Sequence, residues 1–297
     1  MNLKKVTVRE VGPRDGFQME NKLITAEEKV KIINQLAAAG LKNVEFSSFV
    51  HPKAVPQLKD AEEVAAMLLP AEDVLFSALV VNEKGLARAV NAGVREVQMI
   101  VSASEAHSQR NVQMSVSESL SQAVSVAEQA LGHGVAVRSA VAMAFGCPFD
   151  GKIDQEQVER IAAEMAEAGI EQITLADTAG LAHPLQVKEL LHVLLKKMPG
   201  IRWGLHFHDT RGLALANINA SMEVGVSLFE SSIGGLGGCP FVPGATGNVA
   251  TEDLVNMLEM MGLETGISLE KLLAASREVQ KIFQRDLPSK LLALSLH

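Results

Sequence analysis

The residues with the clearest chemical potential are two histidines one position apart, His206 and His208, in Gly204-Leu205-His206-Phe207-His208-Asp209-Thr210-Arg211-Gly212. In an extended strand, side chains two apart leave the same face, so both imidazoles would project into one space. Two neutral ring nitrogens there make half of a site for a borderline divalent cation, whereas an all-oxygen set suits magnesium or calcium better. Taken alone, a His-x-His pair is as readily two polar groups on the solvent face of a strand. Its context favours chemistry: Asp209, Thr210 and Gly212 lead into an Ala/Leu-rich segment, describing a strand-to-helix loop, where many enzymes keep their reactive groups.

The elements that must position these residues follow from periodicity. Strand-like runs at 5–10, 43–47, 74–81, 96–101, 135–143, 171–176, 202–207 and 228–233 alternate with helical spacing. Helices are expected over 61–69, 84–92, 117–131, 153–168, 184–198 and 213–224, and one more opens with a Thr25/Glu28 capping box and stops near Gly40. Residues 102–111 read as a polar loop and 234–247 as a glycine-rich one, after which helices at 251–261 and 269–283 follow. Glycines at 40, 93, 134, 169 and 225 punctuate the helix ends. Eight strand-helix alternations with short joints predict an α/β fold, a (β/α)8 TIM barrel. The expected organisation is one catalytic domain over 1–297, with additional C-terminal helices from about 250 packed against the barrel.

Composition agrees with that architecture. Of 297 residues, 47% are hydrophobic, only 4% aromatic and none tyrosine, which gives an aliphatic core suited to helices on buried parallel strands. The formal net charge of −8, without a Lys/Arg run, argues against a nucleic-acid or anionic-membrane partner. No apolar stretch reaches the length of a membrane span and the N-terminus is not a signal peptide, so a cytoplasmic protein is expected. Cys147 and Cys239 lie far apart, which fits thiols in a reducing compartment better than a disulfide.

A barrel would gather polar residues from strand ends onto one rim: Arg14 and Asp15, Glu45 and Ser47, Asp177 and Thr178, then His206 and His208, with Asn248 beyond the glycine-rich loop. Asp15, His206 and His208 give three mixed ligands and leave positions open for substrate oxygen and water, with Asn248 as a fourth, a set for Mn²⁺ or Mg²⁺. Each has a bland alternative: Asp15 could cap a turn, Glu45 could pair with a rim lysine, and Asp177 could cap the next helix. Convergence of all of them on one rim would need many coincidences. Arg14, beside Asp15, could polarise a carbonyl and stabilise an enolate oxygen. The segment Gly234-Gly-Leu-Gly-Gly-Cys239-Pro240 lacks the Lys-Ser/Thr ending of a P-loop and suits a lid carrying a thiol proton donor, the alternative being a small buried cysteine. Cys147 reads as structural.

These motifs resemble a known family. Glu10-Val-Gly-Pro-Arg-Asp-Gly-Phe-Gln18, Val44-Glu45-Phe-Ser-Ser-Phe-Val-His-Pro52, Leu175-Ala-Asp177-Thr178, His206-Phe-His208-Asp209-Thr210, and Gly234 to Pro240 through Gly247-Asn248 are similar to the hydroxymethylglutaryl-CoA lyases. Those are metallolyase barrels related to isopropylmalate and homocitrate synthases. The resemblance spans nearly the whole chain, and the cysteine-bearing glycine loop singles out this branch. It implies metal-dependent cleavage of (S)-3-hydroxy-3-methylglutaryl-CoA to acetyl-CoA and acetoacetate by a retro-Claisen route, with an acyl-CoA thioester as substrate. By position, Asp15, His206, His208 and Asn248 match the family's metal ligands. Arg14 matches its catalytic arginine, Glu45 and Asp177 its active-site carboxylates, and Cys239 its loop cysteine. Arg14, Gln18, Ser47 and Thr178 are the expected substrate contacts, and either Asp15 or His206 the base. Two positions depart: Phe17 stands where leucine is common, and Ala140 where some members carry tyrosine, both touching pocket shape. Rival readings are a lyase for a longer 3-hydroxy-3-alkylglutaryl-CoA and a non-catalytic barrel that binds metal or acyl-CoA. The expected assembly is a homo-oligomer, a dimer.

Overall fold

A computed structural model describes residues 3–68, 72–238 and 247–294. Eight parallel strands close into a barrel in sequence order: β1 (Thr7–Glu10), β2 (Asn43–Ser48), β3 (Leu75–Leu79), β4 (Glu96–Ser102), β5 (Ala136–Ala142), β6 (Gln172–Asp177), β7 (Arg202–Phe207) and β8 (Leu228–Ser231). β8 pairs back onto β1, with Phe229 opposite Val8 and Glu230 opposite Arg9. Closure leaves no open edge, so each strand is buried on both faces. The strands and the flanking helices α1 (Ala26–Ala38), α2 (Ala61–Leu68) and α3 (Glu83–Asn91) agree with the periodicity to within a few residues. The capping box at the start of α1 forms in both directions, Glu28 N–H to Thr25 Oγ1 at 3.2 Å and Thr25 N–H to Glu28 Oε2 at 2.8 Å. Gly40 shows why glycine ends that helix: its φ is +106°, and a Cβ there would lie 2.2 Å from the Gly266 carbonyl.

The expected polar loop at 102–111 is corrected by the structure, which places helix α4 (Glu105–Val112) there. Ser104 caps it, its hydroxyl accepting the His107 N–H at 3.0 Å, and Gln113 ends it at φ +58°. Only His107 and Ser108 of that helix are buried, so no apolar stripe announced it. The chain continues through α5 (Val116–Gly132), α6 (Gln155–Glu167), α7 (Pro184–Lys197) and α8 (Ala214–Glu223) around the barrel. After β8 come α9 (Thr251–Met260), α10 (Leu269–Phe283) and a short α11 (Lys290–Leu294), which periodicity did not anticipate. α10 packs against α1 and α9. At the root of the glycine segment, the buried Glu252 carboxylate accepts the Gly234 N–H at 2.9 Å and bonds Ser276 of α10. Among the described residues no helix is long and apolar enough to cross a membrane.

The barrel interior departs from the usual layers of branched aliphatic side chains. Arg9, Glu45, Glu96, Arg138 and Glu230 all point into it, and each is at most 8% exposed. They lie directly beneath the rim that carries the site.

Candidate metal centre and active site

β1 runs into a single wide turn of π-helix over Gly12–Gly16, which turns Arg14 and Asp15 onto the C-terminal rim of the barrel. His206 lies at the end of β7 and His208 just beyond it, their rings 5.3 Å apart between centroids. Asn248 pairs through its backbone with His208 and so joins the same rim. Ligand atoms of Asp15, His206 and His208 all lie within 4.8 Å of one another. That spacing suits a shared divalent cation.

Unused lone pairs at the cluster test the fit. His208 Nδ1 and Asn248 Oδ1 are buried and have no hydrogen-bond partner among the described residues. The Asn248 amide nitrogen is committed, donating to Asp15 Oδ2 at 2.8 Å and to the Leu236 carbonyl at 2.9 Å, so its oxygen is the atom left to bind. His206 Nδ1 sits 3.2 Å from Glu230 Oε2, which leaves Nε2 toward Asp15, 3.9 Å from its Oδ2. A carboxylate behind a ligating imidazole is the usual way to fix its tautomer and orientation. The donor set therefore fits a divalent metal.

The electrostatics favour ligands without protons. Burial opposes charge on Asp15, but Arg14 and the two imidazoles hold its carboxyl below the usual carboxylate range. Burial, reinforced by His206, lowers the His208 ring to about 3, so it is neutral at physiological pH. Burial would lower His206 too, yet the Glu230 carboxylate wins and raises it. Burial alone would raise the Glu230 carboxyl, while Arg138 and His206 hold it well below the usual range.

Beside the cluster, Arg14 is 4% exposed, its guanidinium bonded to Glu45 through Nε and to Asp15 through Nη1 at 2.5 Å. Gln18 donates to Asp15 Oδ1 at 2.9 Å. These groups open onto a cavity of about 720 Å³ that also reaches Leu79, Gln98, Ile100, Ala140, Ala142 and Ala176. Thr178 lines it as well, its hydroxyl accepting the Met143 N–H at 3.1 Å.

Three expected site residues lie behind the cavity wall. Glu45 is fully buried between Arg14 and Arg138, not on a lysine at the rim. Ser47 is buried at a register irregularity in β2 and its hydroxyl has no hydrogen-bond partner among the described residues. The Asp177 carboxylate accepts the backbone N–H groups of Leu181 and Ala182 at 2.7 and 3.0 Å, pinning the loop after β6, and His183 is the residue that caps α7. Its burial raises the Asp177 carboxyl to about 6 in spite of those bonds. Cys239 lies outside the described residues, although its neighbour Gly238 lines the cavity.

Sequence reading missed the charges underneath. Arg138 bonds Glu45 through Nη2 and Glu230 through Nη1 at 2.8 Å, and its Nε lies 3.2 Å from Glu96 without forming a hydrogen bond. Arg9 pairs with Glu96. Glu96, Glu230, Arg9 and Arg138 each interrupt a strand that should be continuously apolar, and that interruption is the signal that could have found them.

The HMGL-like family profile matches residues 5–279. The chain belongs to the HMGL-like family. It is 44% identical to a hydroxymethylglutaryl-CoA lyase of Bacillus subtilis over 97% of this chain and 96% of that protein. It is 42% identical to a 3-hydroxy-3-isohexenylglutaryl-CoA/hydroxymethylglutaryl-CoA lyase of Pseudomonas aeruginosa, covering 94% of this chain and 93% of the relative. The structure of an HMG-CoA lyase from Acinetobacter baumannii in complex with coenzyme A and 3-methylmalate superposes with a TM-score of 0.93 at 42% identity, covering 99% of this chain and 96% of that one. Within this HMGL-like barrel, the clustered Asp15, His206 and His208 fall on the rim where (β/α)8 enzymes carry their chemistry.

Proposed function

We propose that this chain is a divalent-metal-dependent carbon–carbon lyase that cleaves (S)-3-hydroxy-3-methylglutaryl-CoA to acetyl-CoA and acetoacetate. The observation that carries this reading is the Asp15–His206–His208 cluster facing the cavity beside Arg14, in a chain of the HMGL-like family. Held by Asp15, His206, His208 and Asn248, a divalent cation, Mg²⁺ or Mn²⁺, would supply a Lewis acid that lowers the pKa of the substrate's tertiary hydroxyl.

The chain's own residues do the rest. Asp15 is the weaker base, since its oxygens already accept from Arg14, Gln18 and Asn248 and its carboxyl is held low. His206, oriented by Glu230, is the other candidate, and with Nδ1 on that carboxylate it can accept the hydroxyl proton only through Nε2 while that nitrogen is released from the cation. Cleavage of the bond between C2 and C3 leaves a ketone on one fragment and delivers the electron pair to the thioester as an enolate. Arg14, locked by Glu45 and Asp15, offers its guanidinium to that enolate oxygen. Proton return to carbon falls to Cys239 on the segment that follows Gly238. Gln18 and Thr178, both lining the cavity, orient the acyl group, while Glu45, Ser47 and Asp177 support from behind the wall.

A second reading, a lyase that also takes a longer 3-alkyl substituent, is favoured by the cavity wall of Ala140, Ala142 and Ala176. The Pseudomonas aeruginosa relative is named for such a dual activity. Homodimeric assembly and a cytoplasmic location complete the proposal, the first to be checked by light scattering and the second by fractionation. The decisive experiment incubates the purified protein and Mg²⁺ with 3-hydroxy-3-methylglutaryl-CoA. Stoichiometric acetoacetate that disappears on chelation is expected; its absence at millimolar Mg²⁺ or Mn²⁺ would overturn the proposal.

A further inference from the structure

The buried charges under the rim form a continuous path between the two groups that must meet the substrate from different strands. Arg14 comes from the turn after β1 and is held by Glu45; His206 comes from β7 and is held by Glu230. One guanidinium, that of Arg138 in the middle of β5, bonds both of those carboxylates, Glu45 through Nη2 and Glu230 through Nη1 at 2.8 Å. Arg138 is 1% exposed and does not line the cavity, so it cannot touch substrate. Its planar fork serves both carboxylates at fixed separation, which the point charge of a lysine cannot do.

We infer that Arg138 is a positioning residue that sets Arg14 and His206 relative to one another through Glu45 and Glu230. The inference rests on the lyase reading for what the two arms do, and on geometry alone for how they are joined. Glu45 and Glu230 stand on β2 and β8, either side of β1, and β5 lies across the barrel from them. Arg138 therefore bridges the barrel interior, and a change there moves both arms at once.

The test compares Arg138→Lys, Glu230→Gln, Glu45→Gln and the Glu230/Glu45 double variant in the full-length protein. Mn²⁺ affinity is read by electron paramagnetic resonance, alongside kcat, KM and melting temperature. Arg138→Lys should weaken Mn²⁺ about tenfold and lower kcat about 100-fold, with KM within about threefold, the range expected when an outer-shell partner is lost. Glu230→Gln should reproduce the Mn²⁺ loss, and Glu45→Gln should lower kcat with Mn²⁺ affinity unchanged. If Arg138 couples the arms, the kcat loss of the double variant falls short of the product of the single losses by about tenfold. Should Arg138→Lys fail to fold, that shortfall still decides the matter. A lower melting temperature with unchanged kcat per bound Mn²⁺, or simple multiplication in the double variant, would overturn the inference. Failure of the wild type to cleave the thioester would instead overturn the lyase reading, and the Mn²⁺ measurements would still judge the coupling of Arg138 to His206.

Discussion

The two sides of the barrel mouth are built on opposite principles. From β7 through β8 to the turn after β1, the rim carries His206, His208, Asn248, Asp15 and Arg14; His208 is placed by its backbone pairing with Asn248, and the other four are oriented by a hydrogen bond or ion pair to a neighbour or to the buried layer below. From β3 to β6 the strands present the apolar Leu79, Ile100, Ala140, Ala142 and Ala176, with the polar Gln98 among them, so that size and shape dominate. On the first side an error of direction destroys function, because a ligand or a guanidinium acts only along its bonding axis. On the second side an error of volume merely changes what fits. The buried charges come from both halves, Arg9 and Glu230 from β1 and β8, Glu45 from β2, Glu96 and Arg138 from β4 and β5, and through Glu45 and Glu230 they brace Arg14 and His206 of the first side; removing one partner from such a buried pair costs about 3–5 kcal/mol.

Substitutions on the two sides should therefore differ in kind, and the following experiments would break or sharpen the contrast. The largest effect belongs to Arg14→Met, which should lower kcat by about 10²–10³-fold while the protein still binds Mn²⁺. Steady-state kinetics with a Mn²⁺ titration checks it, and activity within a few-fold of wild type would remove Arg14 from the reaction. His208→Ala takes away a proposed ligand and should weaken Mn²⁺ by more than the roughly 10–100-fold typical of an outer-shell partner. Equilibrium dialysis reads that loss directly.

A pH effect comes next. Burial raises Glu10 and Glu252 to about 7, well above their unfolded values. Glu10 accepts the Gly12 and Ile233 N–H groups and the Thr251 hydroxyl, and Glu252 accepts the Gly234 N–H, so both grip the root of the glycine segment on the ligand side. A carboxyl whose folded pKa exceeds its unfolded one stabilises the fold fully below the unfolded pKa and loses that contribution as pH rises through the folded value. Urea stability should fall between about pH 4.5 and 7, and Glu252→Gln should flatten part of that slope. The smallest effect is expected on the apolar side. Ala140→Leu should change kcat/KM for the methyl substrate by only about threefold but lower it about tenfold or more for a longer 3-alkyl chain, since one methylene is worth about 1–3 kcal/mol in a pocket. Equal losses for both substrates would erase the distinction between the two sides.

How much of this was legible in the sequence depended on whether a residue acts locally. The strand-helix alternation, the glycine helix ends, and the His206/His208 pair follow from spacing along the chain, and the barrel then places Asp15 and Asn248 beside them. Helix α4 escaped because it carries no apolar stripe and its start is marked only by the Ser104 cap. The ion network escaped for a different reason: pairing of Arg138 with Glu45 and Glu230 is a cross-barrel relation that no period in the chain encodes. The direction of a carboxylate is equally hidden, which is why Asp177 could be placed on the rim but not seen to turn toward the Leu181 and Ala182 N–H groups.

Closure of the ring has a consequence for biosynthesis. Asp15 and Asn248, which share a hydrogen bond at 2.8 Å, are 233 residues apart, and β8 must pair with β1 before they can meet. On the proposed reading a ribosome-bound chain carries Asp15 early but cannot complete the cation site until Asn248 has been made and β8 has closed on β1. Cation capture at the proposed site should thus act as a clasp between the turn after β1 and the segment after β8, so that a chain stopped short of β8 would leave the site open.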